Sequence, residues 1–154
     1  MKREACRIAA TMPTPPPAAL ATLAGLVVKS GVHLGGLSEA QRAWALGVAA
    51  QGLQHGPGVS EAQANARLKA ALAAEAAFLD TDHVELRRWL VDTGWWRRDG
   101  FGRCYERVPA DALPPGLRPL AEALADIDLP AWVAALRQAH RAERERRRQS
   151  WSQG

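Results

Sequence analysis

Apolar residues recur at helical spacing in several short stripes along this chain, each cut off by glycine, proline or a capping side chain. Residues 1–16 are basic and proline-rich and are expected to be an unstructured leader. The apolar run 18–28 predicts a helix over about 17–29, stopped at "KSG", where Gly31 supplies the C-terminal signal. "VHL" at 32–34 reads as a short strand before Gly35 and Gly36.

The same four letters then open two helices: "SEAQ" occurs at 38–41 and again at 60–63. In each, the serine side chain accepts from an otherwise unpaired amide while the glutamine three residues on reaches back, as in a capping box. "DHVE" gives a third start, with Asp82 as the cap and Glu85 at the matching position. The links are "QHGPGV" and "LDT". The first of these helices is expected to bury Trp44 and Val48, the second Leu68, Leu72 and one of Phe78 and Leu79. The recurrence reflects capping chemistry and not a repeat array, because the helix interiors differ.

On a helical wheel Leu86, Trp89, Leu90 and Thr93 share one face, the expected core face of a third helix that ends at Gly94. "WWRRDGFGRCYERV" predicts two strands about a turn at Asp99-Gly100 or Gly102, with Trp96 and Tyr105 pairing across the hairpin. A short helix near 119–125 follows, then a last helix opened by "DIDLP". Trp132, Val133 and Leu136 give that helix one apolar stripe, which vanishes beyond Ala139. The expected fold class is mostly α with a small β-hairpin. Its core is winged helix-turn-helix-like, with "VHL" as the strand beside the wing and helical extensions at both ends. The domain is expected over 17–108, and the C-terminal helical extension with its basic tail over 109–154.

Composition sharpens this picture. Much of the apolar content is alanine, which favours helices but buries little surface, so the six tryptophans must fill much of the core. The net charge of +4 is unevenly spread. Residues 137–154 carry six arginines against Glu143 and Glu145, whereas residues 37–136 carry ten basic and thirteen acidic side chains. Seventeen of the twenty basic residues are arginine, which with the alanine excess points to a GC-rich genome as well as to chemistry. Cys6 and Cys104 form no metal or redox spacing, so a reduced cytoplasm is the expected setting. The apolar run 18–28 is too short to span a membrane, and no membrane partner is expected.

One set of residues carries a family likeness. Glu61, Asn65 and Leu68 come first. The block "LRRWLVDTGWWRR" follows, with Leu86, Arg87, Arg88, Leu90, Val91, Asp92, Gly94, Trp96 and Arg98 behind Asp82. Gly102, Tyr105 and Arg107 complete the set. Over about residues 26–108 the chain resembles the bacterial domain-of-unknown-function family 2087. It departs at Trp96, where the family usually has leucine, and at Ala64, where it has valine. The resemblance implies a winged-helix-like domain of the kind found in bacterial transcriptional regulators, where it can sense, dimerise or dock beside another DNA-reading domain.

Two function classes compete. In the first the chain binds double-stranded DNA. Arg87 and Arg88 of the third helix then enter the major groove, and Arg97, Arg98 and Arg103 of the wing reach the flanking backbone. Arg144, Arg146, Arg147 and Arg148 hold phosphates as a basic arm. In the second it is a protein-interaction module, a homodimer or a regulatory partner's dock, with Val84, Val91, Trp132 and Leu136 as the interaction face. Arg88 lies three residues from Glu85 and four from Asp92, so intrahelical pairing is the competing role for the helix arginines. Val84 and Val91 suggest a face covered by the C-terminal helix or a second copy. The tail is equally a solvated helix end, since Glu143 and Arg147 suit an i,i+4 pair. Asn65 is expected to bond an interhelix backbone group. His33, His55, His83 and His140 are scattered without metal-ligand spacing, no glycine-rich phosphate loop or "GxSxG" occurs, and Cys104 is expected to be a buried strand cysteine. The expectation is a binding protein without catalysis, metal or cofactor.

Overall fold

The computed structural model describes residues 18–99, 101 and 103–153. The expected leader lies outside the described residues, as do Cys6 and the two turn glycines Gly100 and Gly102. A 3-10 turn over Ala18–Leu20 leads into α1 (Ala21–Val27). A further 3-10 turn, Leu34–Gly36, precedes α2 (Glu39–Ala50). The two-residue strand β1 (Val59–Ser60) runs directly into α3 (Glu61–Leu72). After α4 (His83–Thr93) come β2 (Trp96–Arg98) and β3 (Cys104–Arg107). A third 3-10 turn, Ala110–Ala112, leads to α5 (Arg118–Leu124) and the long α6 (Leu129–Gln153).

Both capping boxes form as expected. Ser38 Oγ accepts from the Gln41 amide and Ser60 Oγ from the Gln63 amide, each at 3.1 Å, with the glutamine side chains returning the bond. Asp82 Oδ1 accepts from the Glu85 amide at 2.8 Å. Its box is one-sided, because the Glu85 carboxylate turns to the Thr81 hydroxyl instead. Helix α4 ends at Gly94, which sits at φ +94° where side-chain-bearing residues are strained. A Cβ there would also lie 2.9 Å from Pro114 Cγ.

The strand that joins the hairpin is not "VHL". Val59 pairs with Tyr105 and Ser60 with Cys104, giving a three-stranded antiparallel sheet in the order β1-β3-β2. Val32 instead makes one parallel bridge to Leu79, and residues 34–36 coil as a 3-10 turn. Trp96 and Tyr105 are both buried on one sheet face, but they sit diagonally. The direct partner of Trp96 is Arg107 and that of Tyr105 is Arg98. Cys104 is exposed and not a buried strand residue, because the burial alternation of β3 puts Tyr105 inside.

One continuous core runs from Leu20 to Val133. Trp95, Trp96 and Phe78 are its largest fully buried side chains, and Leu79 joins Phe78 inside. Trp44 and Leu72 are only partly buried against it. Trp96 Nε1 donates to the Ala50 carbonyl at 3.1 Å, a second donor beside the Leu53 amide for this acceptor at the end of α2. At Gly47 the indole of Trp95 and Leu124 come so close that a Cβ would meet each at 3.0 Å, which lets α5 seat on α2. Leu113, Ala121, Leu124, Leu129 and Val133 share this core, so the segment beyond 108 is built into the domain through its first half.

Helix α6 packs chiefly on α1. Arg137 pins it there, donating to the carbonyls of Val27 at 2.8 Å and Lys29 at 2.7 Å. Every described residue beyond it is exposed. Among the described residues no helix is long and apolar enough to cross a membrane.

Candidate functional site

Helices α3 and α4 pack side by side, and this brings Arg87 of α4 onto two residues one turn apart on α3. Its guanidinium bonds the Asn65 side-chain oxygen and lies 3.0 Å from the Glu61 carboxylate. Its carbon also sits 5.3 Å from the centroid of the Tyr105 ring on β3. With its side chain only 15% exposed, Arg87 is a clamp between α3, α4 and the sheet. Asn65 therefore serves a side chain, where a backbone partner was expected. The approach of two helices 22 residues apart in sequence decides that choice.

Arg88, the next residue, is exposed. It makes no ion pair with a described residue, so the expected pairing with Glu85 or Asp92 does not form. Arg88 lines a cavity of about 340 Å³ together with Val84, Arg87, Val91, Asp92, Arg98 and Tyr105. The walls are α4 on one side and the hairpin on the other. Val84, 41% exposed, and Val91 give this groove apolar surface, and no α6 residue lines it.

The expected wing arginines separate into two kinds. Arg97 is tied across the hairpin to Glu106, its register partner. Arg98 and Arg103 are exposed and form no ion pair with a described residue. The Arg103 amide donates to Asp99 Oδ1 at 2.8 Å, and the Phe101 amide donates to the same oxygen at 3.2 Å. That carboxylate thus organises the tip of the hairpin, where Phe101 is almost fully exposed.

The arm separates likewise. Glu143 binds Arg146 and Arg147 along its own helix, and these guanidinium groups hold its carboxyl below the usual carboxylate range. Arg144 and Arg148 make no ion pair with a described residue and share one face with Arg147, Trp151 and Ser152. Trp132 and Leu136 on α6 are half-buried against the core, whereas Val84 and Val91 line the groove beside α4. Among the described residues no cluster of histidine, cysteine and carboxylate side chains could hold a metal.

The segment that builds the clamp and the groove is also the one with known relatives. Residues 37–107 match the model of DUF2087, a family described as an uncharacterised protein conserved in bacteria. The chain carries a DUF2087 domain. No curated protein and no solved structure matches the chain. The DUF2087 domain begins at Leu37, eleven residues later than the resemblance in the sequence suggested, and runs from the cap of α2 to the end of β3. It contains the Glu61–Arg87–Asn65 clamp, the Val84 groove and the hairpin. Helices α1, α5 and α6 are additions packed around it.

Proposed function

We propose that this protein binds double-stranded DNA as a small winged helix-turn-helix-like, transcription-associated protein of the cytoplasm. In this reading α3 and α4 form the helix pair, α4 is the helix presented to the duplex, and β2–β3 are the wing. The observation that carries it is the pairing state of the arginines around one groove. Arg88 of α4 and Arg98 of the hairpin line the same groove, exposed and without a carboxylate partner among the described residues, while Arg87, which also borders it, is held in the clamp. Arg103 extends the cationic edge along the hairpin. Arg144, Arg147 and Arg148 on the free half of α6 add a sequence-independent phosphate contact. Asp92 on the same groove repels phosphate, which confines the duplex to the Arg88–Arg98 side.

A second reading rests on a different observation. Val84 and Val91 leave apolar surface in the groove between those arginines, as a dock for a regulatory protein or a second copy would. Binding to labelled duplex across a salt series separates the two. With DNA as the partner, Arg88→Ala and Arg98→Ala each lower the salt slope by about 1 and leave thermal stability intact. An unchanged slope for both variants, with binding lost only when α6 is cut after Gln138, removes the groove from the DNA reading.

A further inference from the structure

Beyond Arg137, helix α6 leaves the core and its sequence changes character. Over 139–153 the apolar side chains are Ala139, Ala142 and Trp151, and every residue is exposed. The helix there is supported along its own length, where Glu143 pairs with Arg146 at 2.5 Å and with Arg147 at 3.5 Å.

Arg144, Arg147, Arg148 and Trp151 recur at three- and four-residue spacing and line one surface of this free half. Glu143 and Glu145 stand one residue to either side of Arg144, about 100° around the helix from it, so the carboxylates flank the stripe and stay out of it. Arg144 and Arg148 make no ion pair with a described residue. From Arg144 to Trp151 the helix rises about 10 Å, a span of a few phosphates.

Trp151 decides the kind of partner. It is 86% exposed, whereas the other five tryptophans are buried or half-buried. An arginine stripe alone suits any polyanion. An uncovered indole at its end adds a flat π face, and a base is the polyanion-borne group that matches it. In a duplex the bases are stacked on one another, but a single strand offers phosphates and open base faces together. A lipid surface fits less well, because a helix lying on a membrane needs a broad apolar face and this stripe has one large apolar side chain.

We propose that the free half of α6 binds single-stranded nucleic acid, with Arg144, Arg147 and Arg148 along the phosphates and Trp151 stacked on an unpaired base. This site does not depend on the groove reading, since no α6 residue lines the groove.

The test measures binding of the intact protein to labelled oligo-dT, oligo-U and a duplex of equal charge across a salt series. In parallel, the Trp151 indole resonance is followed by proton–nitrogen correlation and identified by its loss in Trp151→Ala. The expected result is a saturable shift of that resonance with at least one single strand, and the tighter of the two names the sugar. Trp151→Ala should weaken single-strand binding about fivefold or more at an unchanged salt slope, and leave duplex binding unchanged. Trp151→Phe should retain most of the affinity. Arg144→Ala and Arg148→Ala should each flatten the single-strand salt slope by about 0.7. Arg88→Ala with Arg98→Ala should leave single-strand binding intact, so that failure of the groove and failure of this site are read separately. Single-strand affinity that is indifferent to Trp151→Ala overturns the proposal. So does a Trp151 resonance that heparin or anionic phospholipid vesicles move as far as the single strands do, or one that moves with protein concentration alone, as a contact with a second copy would.

Discussion

Replacing Arg87 with methionine keeps most of the aliphatic stem and removes every polar contact of the clamp. Three contributions are lost. The Glu61 carboxylate is about half exposed, so its ion pair contributes about 0.5 kcal/mol. The part-buried, charge-assisted hydrogen bond to Asn65 contributes about 1.5 kcal/mol. The guanidinium over Tyr105 adds about 1 kcal/mol. Together Arg87→Met should cost about 3 kcal/mol, which for a chain of this size lowers Tm by about 6–12 °C. Urea unfolding should show a lower midpoint at unchanged m. A double-mutant cycle with Asn65→Ala should return a coupling of at least about 1 kcal/mol. Arg88→Ala, one residue away, should stay within about 0.5 kcal/mol of the parent. If Arg87→Met is as silent as Arg88→Ala and the cycle shows no coupling, the clamp is not structural and Arg87 is free for a ligand.

Three further outcomes follow from the local geometry. Gly94→Ala should destabilise by about 2 kcal/mol or more in urea unfolding, since it adds a Cβ at positive φ and 2.9 Å from Pro114 Cγ. Ser60→Ala removes a capping-box acceptor and should cost about 1 kcal/mol, with amide exchange accelerated first at Gln63. Burial raises the Glu75 pKa, so the folded state favours its protonated form and loses stability as pH rises through that pKa. Glu75→Gln should therefore raise Tm at neutral pH, and the gain should vanish below the ordinary glutamate pKa.

The helix starts were legible because capping is local. Ser38 with Gln41, Ser60 with Gln63, and Asp82 each carry the signal within four residues, and Gly94 marks a stop by its own backbone freedom. The third strand was not legible for the converse reason. Two residues cannot show a period of two, and Val59 becomes a strand only because Tyr105 arrives opposite it. "VHL" has the right residue types, but its backbone is used by Phe78 and Asp80 instead. The arginines show the same divide. Sequence placed Arg87 and Arg88 on α4 but could not separate their roles, since the partners of Arg87 lie on another helix and on the sheet. The course of α6 hangs on Arg137 reaching carbonyls about 110 residues earlier, a contact that no local pattern announces.

The most direct test of the DNA reading is an amide chemical-shift footprint of the intact protein on adding a short duplex at low salt. The account predicts the largest changes at Arg88, Val91 and Asp92 of α4 and at Arg98 and Arg103 of the hairpin, smaller ones along 144–151, and none at Asn65. A footprint confined to 144–151, with α4 and the hairpin unmoved, would contradict it and leave the Val84 groove to a protein partner.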